Sequence, residues 1–178
     1  MLEIHPFGSF VPKNAKYLIL GSFTGKKEDE NFNLDWYYGT KRNQFWNILR
    51  SVYNLPLENR DQKIELFQKL GIAISDIIYS CERKNGTNLD NNLIKITYNL
   101  KEIEGLLSNL NIQRIYCTSK FVEKKFLKEF KNIIIKYHKI QIITLPSPSP
   151  RYSHMSLKDK AEIYKKLLPL PNTKVSQP

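Results

Sequence analysis

The chain has 178 residues, 41% hydrophobic and 12% aromatic, which suits one α/β-sized domain with a substantial core and argues against two full domains. Its 28 Lys and Arg against 17 Asp and Glu give a formal net charge of +11, an excess that favours a polyanionic partner, nucleic acid ahead of an anionic membrane surface. No apolar run approaches the ~20 residues of a membrane span, the opening MLEIHPFGSF lacks the regions of a secretion signal, and Cys81, Cys117 and three scattered histidines do not suit a structural metal, so a metal-free protein of a reducing cytoplasm is expected.

In chain order, Lys16-Tyr-Leu-Ile-Leu-Gly21 reads as a first buried strand. Helices follow over Asn43 to Tyr53 and Asp61 to Leu70, the second capped by Gly71. Gly71 to Tyr79 reads as a second buried strand, and the polar stretch Glu82 to Asn92 as a loop. A helix over 97–109, a third strand over Ile112 to Cys117 and a helix over Ser119 to Phe130 continue the alternation. Lys139 to Leu145 is a fourth strand, stopped by Pro146-Ser-Pro-Ser-Pro150, and Ser156-x-x-Asp159 opens a last helix. Residues 1–168 form one unit, with Pro169 to Pro178 as a flexible tail. Strands alternating with helices imply a mostly parallel sheet covered on both faces.

In such a sheet, functional residues gather where loops leave the carboxyl ends of the strands. That rule selects Gly21 to Gly25, Asp76, Thr118 to Lys120 and Pro146 to His154. Between the first two lies Trp36-Tyr-Tyr-Gly-Thr-Lys-Arg-Asn-Gln-Phe-Trp46, whose aromatics could stack on bases and whose cations could neutralise phosphates. Phe45 and Trp46 also suit the core. The proline-stiffened loop could hold Ser147 or Ser149 against a phosphate and push Arg151 or Tyr152 into a duplex; a stiff connection alone would read the same way. Lys124, Lys125, Lys128, Lys131, Lys158, Lys160, Lys165 and Lys166 read as solvated helix faces that attract DNA without specificity.

Together, Leu20-Gly-Ser-Phe23, Tyr37-Tyr-Gly-x-x-x-Asn-x-Phe-Trp46, Gly71-Ile-x-x-x-Asp-Ile77, Cys81-Glu-Arg83, Leu89-Asp90 and Leu145-Pro-Ser-x-Ser-Pro150 carry a resemblance. Over roughly residues 5–168 the chain resembles the uracil-DNA glycosylase superfamily, most closely its hypoxanthine-DNA (deoxyinosine) glycosylase branch. The resemblance implies an α/β/α sandwich with a central four-stranded parallel sheet. It also implies a monomeric, monofunctional glycosylase without cofactor, which flips a deaminated base, hypoxanthine or uracil, out of DNA and hydrolyses its N-glycosidic bond in base excision repair.

Carried over by position, the resemblance makes Asn43 the catalytic amide, because Phe23 stands where many members have the Asp or Asn that positions water. It places Ser22, Phe23, Tyr38 and Asp76 in the base pocket and Ser147, Ser149, Arg151 and Tyr152 on DNA. Tyr38 would stack on the flipped base. Asp76 replaces a base-reading Asn of uracil-specific members; a carboxylate only accepts hydrogen bonds, so it suits N1–H of hypoxanthine. Two plainer readings stay open: Asn43 as a helix cap and Asp76 as a carboxylate satisfied by backbone donors. Leu145 takes the place of a His that stabilises the leaving base, and His154 reads as a surface residue. With Phe23 and Leu145 both replacing polar groups, an inactive nucleic-acid-binding module on the same fold is the alternative function.

Overall fold

The computed structural model describes residues 1–25, 34–84, 87 and 89–171. Its elements in chain order are β1 (Leu2–Ile4), β2 (Tyr17–Gly21), α1 (Phe45–Tyr53), α2 (Arg60–Leu70), β3 (Ile72–Asp76), β4 (Ile78–Arg83), β5 (Leu93–Tyr98), α3 (Leu100–Asn109), β6 (Arg114–Cys117), α4 (Lys120–Glu129), α5 (Lys131–Lys136), β7 (Gln141–Thr144) and α6 (Leu157–Leu167). Strands β3-β2-β6-β7, in that order, make a four-stranded parallel sheet. Alternation along the strands sorts two cores. Ile19, Ile74 and Tyr116 pack with α1, α2 and α6, whereas Leu18, Leu20, Ala73 and Cys117 pack with α3, α4 and α5. Helices on both faces of one sheet give the expected three-layer α/β/α sandwich. Phe45 and Trp46 lie in the first core.

The helix boundaries follow local chemistry. Asn59 Oδ1 accepts from the Gln62 N–H to open α2, and Gly71, at φ 67, closes it in the left-handed region. Ser119 caps α4, and Ser156 with Asp159 forms the expected capping box of α6.

Three expectations need correction. The run Gly71 to Tyr79 is not one strand: β3 ends at Asp76, and β4 belongs to a second, antiparallel sheet ordered β1-β4-β5. The chain still follows β2 past Asp76, with the Ile77 and Ile78 N–H groups donating to the carbonyls of Gly21 and Ser22. Because Ile77 and Ile78 are both buried, the unbroken apolar run hides the change of sheet. The expected loop Glu82 to Asn92 begins inside β4, where Glu82 pairs with Leu2 and Ile94. The helix expected over 97–109 starts at Leu100, since β5 occupies the preceding residues; the register of β5 against β4 shifts near Lys95, at φ 50, which breaks its alternation. Residues 172–178 of the expected tail lie outside the described residues.

The connection from β2 leads to β3 on one side, and that from β6 leads to β7 on the other. The carboxyl ends of β2 and β6 therefore flank a topological switch point, where open α/β sheets bind ligands. Among the described residues no helix is long and apolar enough to cross a membrane.

Candidate active site

A cleft of about 420 Å³ opens at this carboxyl edge. Ser22, Phe23, Tyr38, Asn43, Asp76, Ser147, Ser149 and Arg151, drawn from four separate segments, all line it; Tyr152 does not.

Asp76 ends β3 opposite Gly21 of β2, and only 6% of it is exposed. Its Oδ2 accepts from His5 Nε2 at 2.8 Å, while its buried Oδ1 has no hydrogen-bond partner among the described residues. Backbone donors therefore do not satisfy the carboxylate. Glycine at position 21 is required by this arrangement: a Cβ there would fall 2.2 Å from Asp76 Oδ1 and 2.4 Å from the Tyr38 hydroxyl oxygen.

His5 was not among the residues selected from sequence. It follows the short edge strand β1 and is anchored by its own N–H donating to the Tyr79 carbonyl at 2.8 Å. Its Nδ1 lies 2.8 Å from the Phe7 carbonyl and 3.2 Å from the Phe7 N–H, so Nδ1 can donate to the first when protonated and accept from the second when neutral. Burial works against the charged ring, but the hydrogen bond and charge of Asp76, with smaller help from the Phe7 carbonyl and Glu102, raise its pKa above 6.5. The pair's contribution to stability is thus complete below about pH 6.5 and fades as pH rises through the raised folded-state value. Urea midpoints should fall between pH 6 and pH 9 in the wild type and stay flat, at a lower level, in His5→Gln. His5→Leu, which leaves a buried carboxylate unpaired, should cost about 3–5 kcal/mol.

Tyr38 adopts φ 56, uncommon for a residue with a side chain. One face of its ring is covered by Phe45, with centroids 4.1 Å apart and planes 24° from parallel. Its hydroxyl shares a 2.9 Å hydrogen bond with Thr118 Oγ1, which also donates to the Leu20 carbonyl. Burial and the nearby Asp76 charge keep this phenol protonated by raising its pKa. The ring also lines the cleft. Phe23 forms an adjoining wall, its ring edge-on to His5 at 5.4 Å and capped by the Arg83 guanidinium.

Asn43 precedes α1. Its Oδ1 accepts from the Phe45 N–H at 2.9 Å, so the capping reading describes half of the amide; Nδ2 has no hydrogen-bond partner among the described residues. Asp90, for which sequence reasoning offered no role, also lines the cleft, and its Oδ1 accepts from Ser22 Oγ at 2.7 Å. Burial and Asp76 raise its pKa against the opposing pull of Ser22, Arg83 and Arg151.

The proline loop is held by its carbonyls. Tyr164 Oη donates to Pro146, the Gln44 N–H to Pro148 and Lys160 Nζ to Ser149. Lys160 is thus not on a solvated face: it is fully buried, and its Nζ also donates to Gln44 Oε1 at 2.8 Å. The ammonium is tolerated there because the loop supplies acceptors that prolines and serines cannot pair among themselves. Ser147 and Ser149 accept from the Ser149 and Arg151 N–H groups, which leaves each hydroxyl proton for an outside acceptor. Tyr152 packs beside the cleft against His154, 3.9 Å between centroids, and His154 is exposed. Leu145 is buried in the core at 1% exposure and presents nothing to a ligand. Among the described residues no His, Cys, Asp and Glu side chains are grouped to hold a metal ion.

No curated protein matches the chain. A solution NMR structure of a candidate uracil DNA glycosylase from Methanosarcina acetivorans shares its fold, with a TM-score of 0.67 and 18% identity over 93% of this chain and 98% of that one. The family model described as the uracil DNA glycosylase superfamily matches residues 7–168, a span that holds the sandwich and every residue lining the cleft, though not His5 behind Asp76, so the chain belongs to that superfamily.

Proposed function

We propose that this protein is a monomeric, monofunctional DNA glycosylase that flips a deaminated base into the cleft and hydrolyses its N-glycosidic bond, with hypoxanthine as the favoured base. One observation carries the choice of base: Asp76 Oδ1 is a buried acceptor without a donor, and its other oxygen is already held by His5. An unpaired buried acceptor costs about 1–3 kcal/mol, and N1–H of hypoxanthine supplies the missing donor. The O4 edge of uracil would meet the carboxylate acceptor to acceptor.

The remaining parts fit base flipping. Tyr38, in the cleft, would stack on the base, the proline loop braced by Tyr164, Gln44 and Lys160 would enter the duplex, and Ser147, Ser149 and Arg151, which line the same cleft, would contact phosphates. Asn43 Nδ2 can orient the attacking water or the sugar. The departing base carries negative charge and the sugar positive charge in the transition state. With Leu145 buried, no side chain at that position stabilises the base, so its charge is met elsewhere or by solvent. Both cysteines are free and buried, which fits a reducing cytoplasm.

The test incubates the protein with labelled duplexes bearing one inosine, uracil, xanthine or thymine mismatch and looks for alkali-labile abasic sites. Inosine should be cut fastest. Failure on all four, with DNA binding intact, would support the non-catalytic binding module that Phe23 and Leu145 keep as the second reading. Binding itself should be largely sequence-independent and weaken steeply between 50 and 200 mM salt, as phosphate neutralisation by a +11 chain releases counterions. Fluorescence anisotropy on undamaged duplexes measures this; a flat salt dependence would count against DNA as the partner.

A further inference from the structure

Hydrolysis needs a group that takes the proton of the attacking water, and the position that commonly helps in this superfamily is occupied by Phe23. Asn43 cannot fill that need. An amide is not a base at neutral pH, and its Oδ1 already caps α1 through the Phe45 N–H. Two carboxylates line the cleft among the described residues, Asp76 and Asp90. Asp76 is tied to His5 and faces Gly21 and Tyr38 at the end of β3. Asp90 enters separately, from the segment before β5, and has one oxygen fixed by Ser22 Oγ at 2.7 Å while Oδ2 has no hydrogen-bond partner among the described residues.

We propose that Asp90 is the general base of the reaction and that Ser22 is its positioning residue. The inference rests on the glycosylase reading of the same cleft. Water oxygen bonds to C1′ of the flipped nucleotide as the C1′–N bond breaks. The bonding pair leaves with the base, which is then protonated by solvent, and Asp90 Oδ2 takes the water proton and later releases it to solvent. Before that transfer the carboxylate charge also favours the cationic sugar. Asp76 from β3, Arg83 from β4 and Arg151 from the proline loop are the charged groups facing Asp90. Asp76 and burial shift it toward the protonated form, whereas Ser22 and the two arginines oppose that shift. The acid limb of the rate profile should therefore lie at higher pH than the titration of an exposed aspartate, and Ser22→Ala, which removes a hydrogen bond favouring the ionised form, should move it higher still.

The experiment measures single-turnover cleavage of an inosine duplex from pH 5 to 9 with wild type, Asp90→Asn, Asp90→Ala and Ser22→Ala, alongside affinity for the duplex. Asp90→Asn should be slower by about 100-fold or more, lose the acid limb and bind DNA as wild type does. Formate should restore part of the Asp90→Ala rate, a recovery that a merely structural carboxylate would not show. An active wild type with Asp90→Asn within threefold of it and the same acid limb overturns the role of Asp90 and leaves the glycosylase reading standing. A wild type inactive on every base overturns both.

Discussion

Asn43→Ala should slow single-turnover excision by about 100-fold, the usual loss for one aligned polar group at a transition state, with little change in DNA affinity. The structure gives this variant two separable effects. Losing Oδ1 removes the hydrogen bond to the Phe45 N–H and should cost about 1 kcal/mol of stability. Losing Nδ2 removes the donor that has no partner among the described residues and is therefore available to the water or the sugar. Asn43→Asp divides them, because a carboxylate oxygen still accepts from Phe45 while the donor is gone. Melting should be near normal and the rate as poor as that of Asn43→Ala. If Asn43→Asp turns over like wild type, the residue is a helix cap alone.

Asp76→Asn should raise the ratio of uracil to inosine cleavage by about tenfold or more, even as total activity falls. His5 decides the orientation of the new amide. Its Nε2–H sits 2.8 Å from the position of Oδ2 and needs an acceptor, so the amide oxygen turns toward His5 and the NH2 takes the place of Oδ1. The cleft would then present a donor where it had an acceptor, meeting a uracil carbonyl and clashing with N1–H of hypoxanthine. Single-turnover rates on both bases check this. An unchanged ratio reduces Asp76 to a structural carboxylate paired with His5.

The parallel sheet was legible because its strands are short apolar runs and because α2, α4 and α6 open on recognisable caps. The second sheet was not. β1 has three residues, two of them exposed, β4 continues the apolar run of β3, and β5 loses its alternation near Lys95. Those failures hid His5, since only the pairing of β1 with β4 carries residue 5 to a carboxylate 71 positions away. The sole clue in sequence was an Asp at a sheet edge in need of a counter-charge. Lys160 was misread for a related reason: at its spacing in α6 it looks like any surface lysine, and only the proline loop folding over it supplies the acceptors that bury it. Asn43, Tyr38 and Ser147 were found because each stands in a short motif whose order along the chain matches the order in which the fold brings loops to the cleft.

Acceptance of N1–H at Asp76 is what would make hypoxanthine the favoured base of this cleft. It is tested most directly by single-turnover cleavage of two otherwise identical duplexes, one carrying inosine and the other N1-methylinosine, which keeps the base and the scissile bond but lacks that donor. Abasic sites should form from inosine, with a rate lower by about tenfold or more for the methylated base. Equal rates would contradict recognition through Asp76, and no abasic sites from either would contradict the glycosylase reading itself.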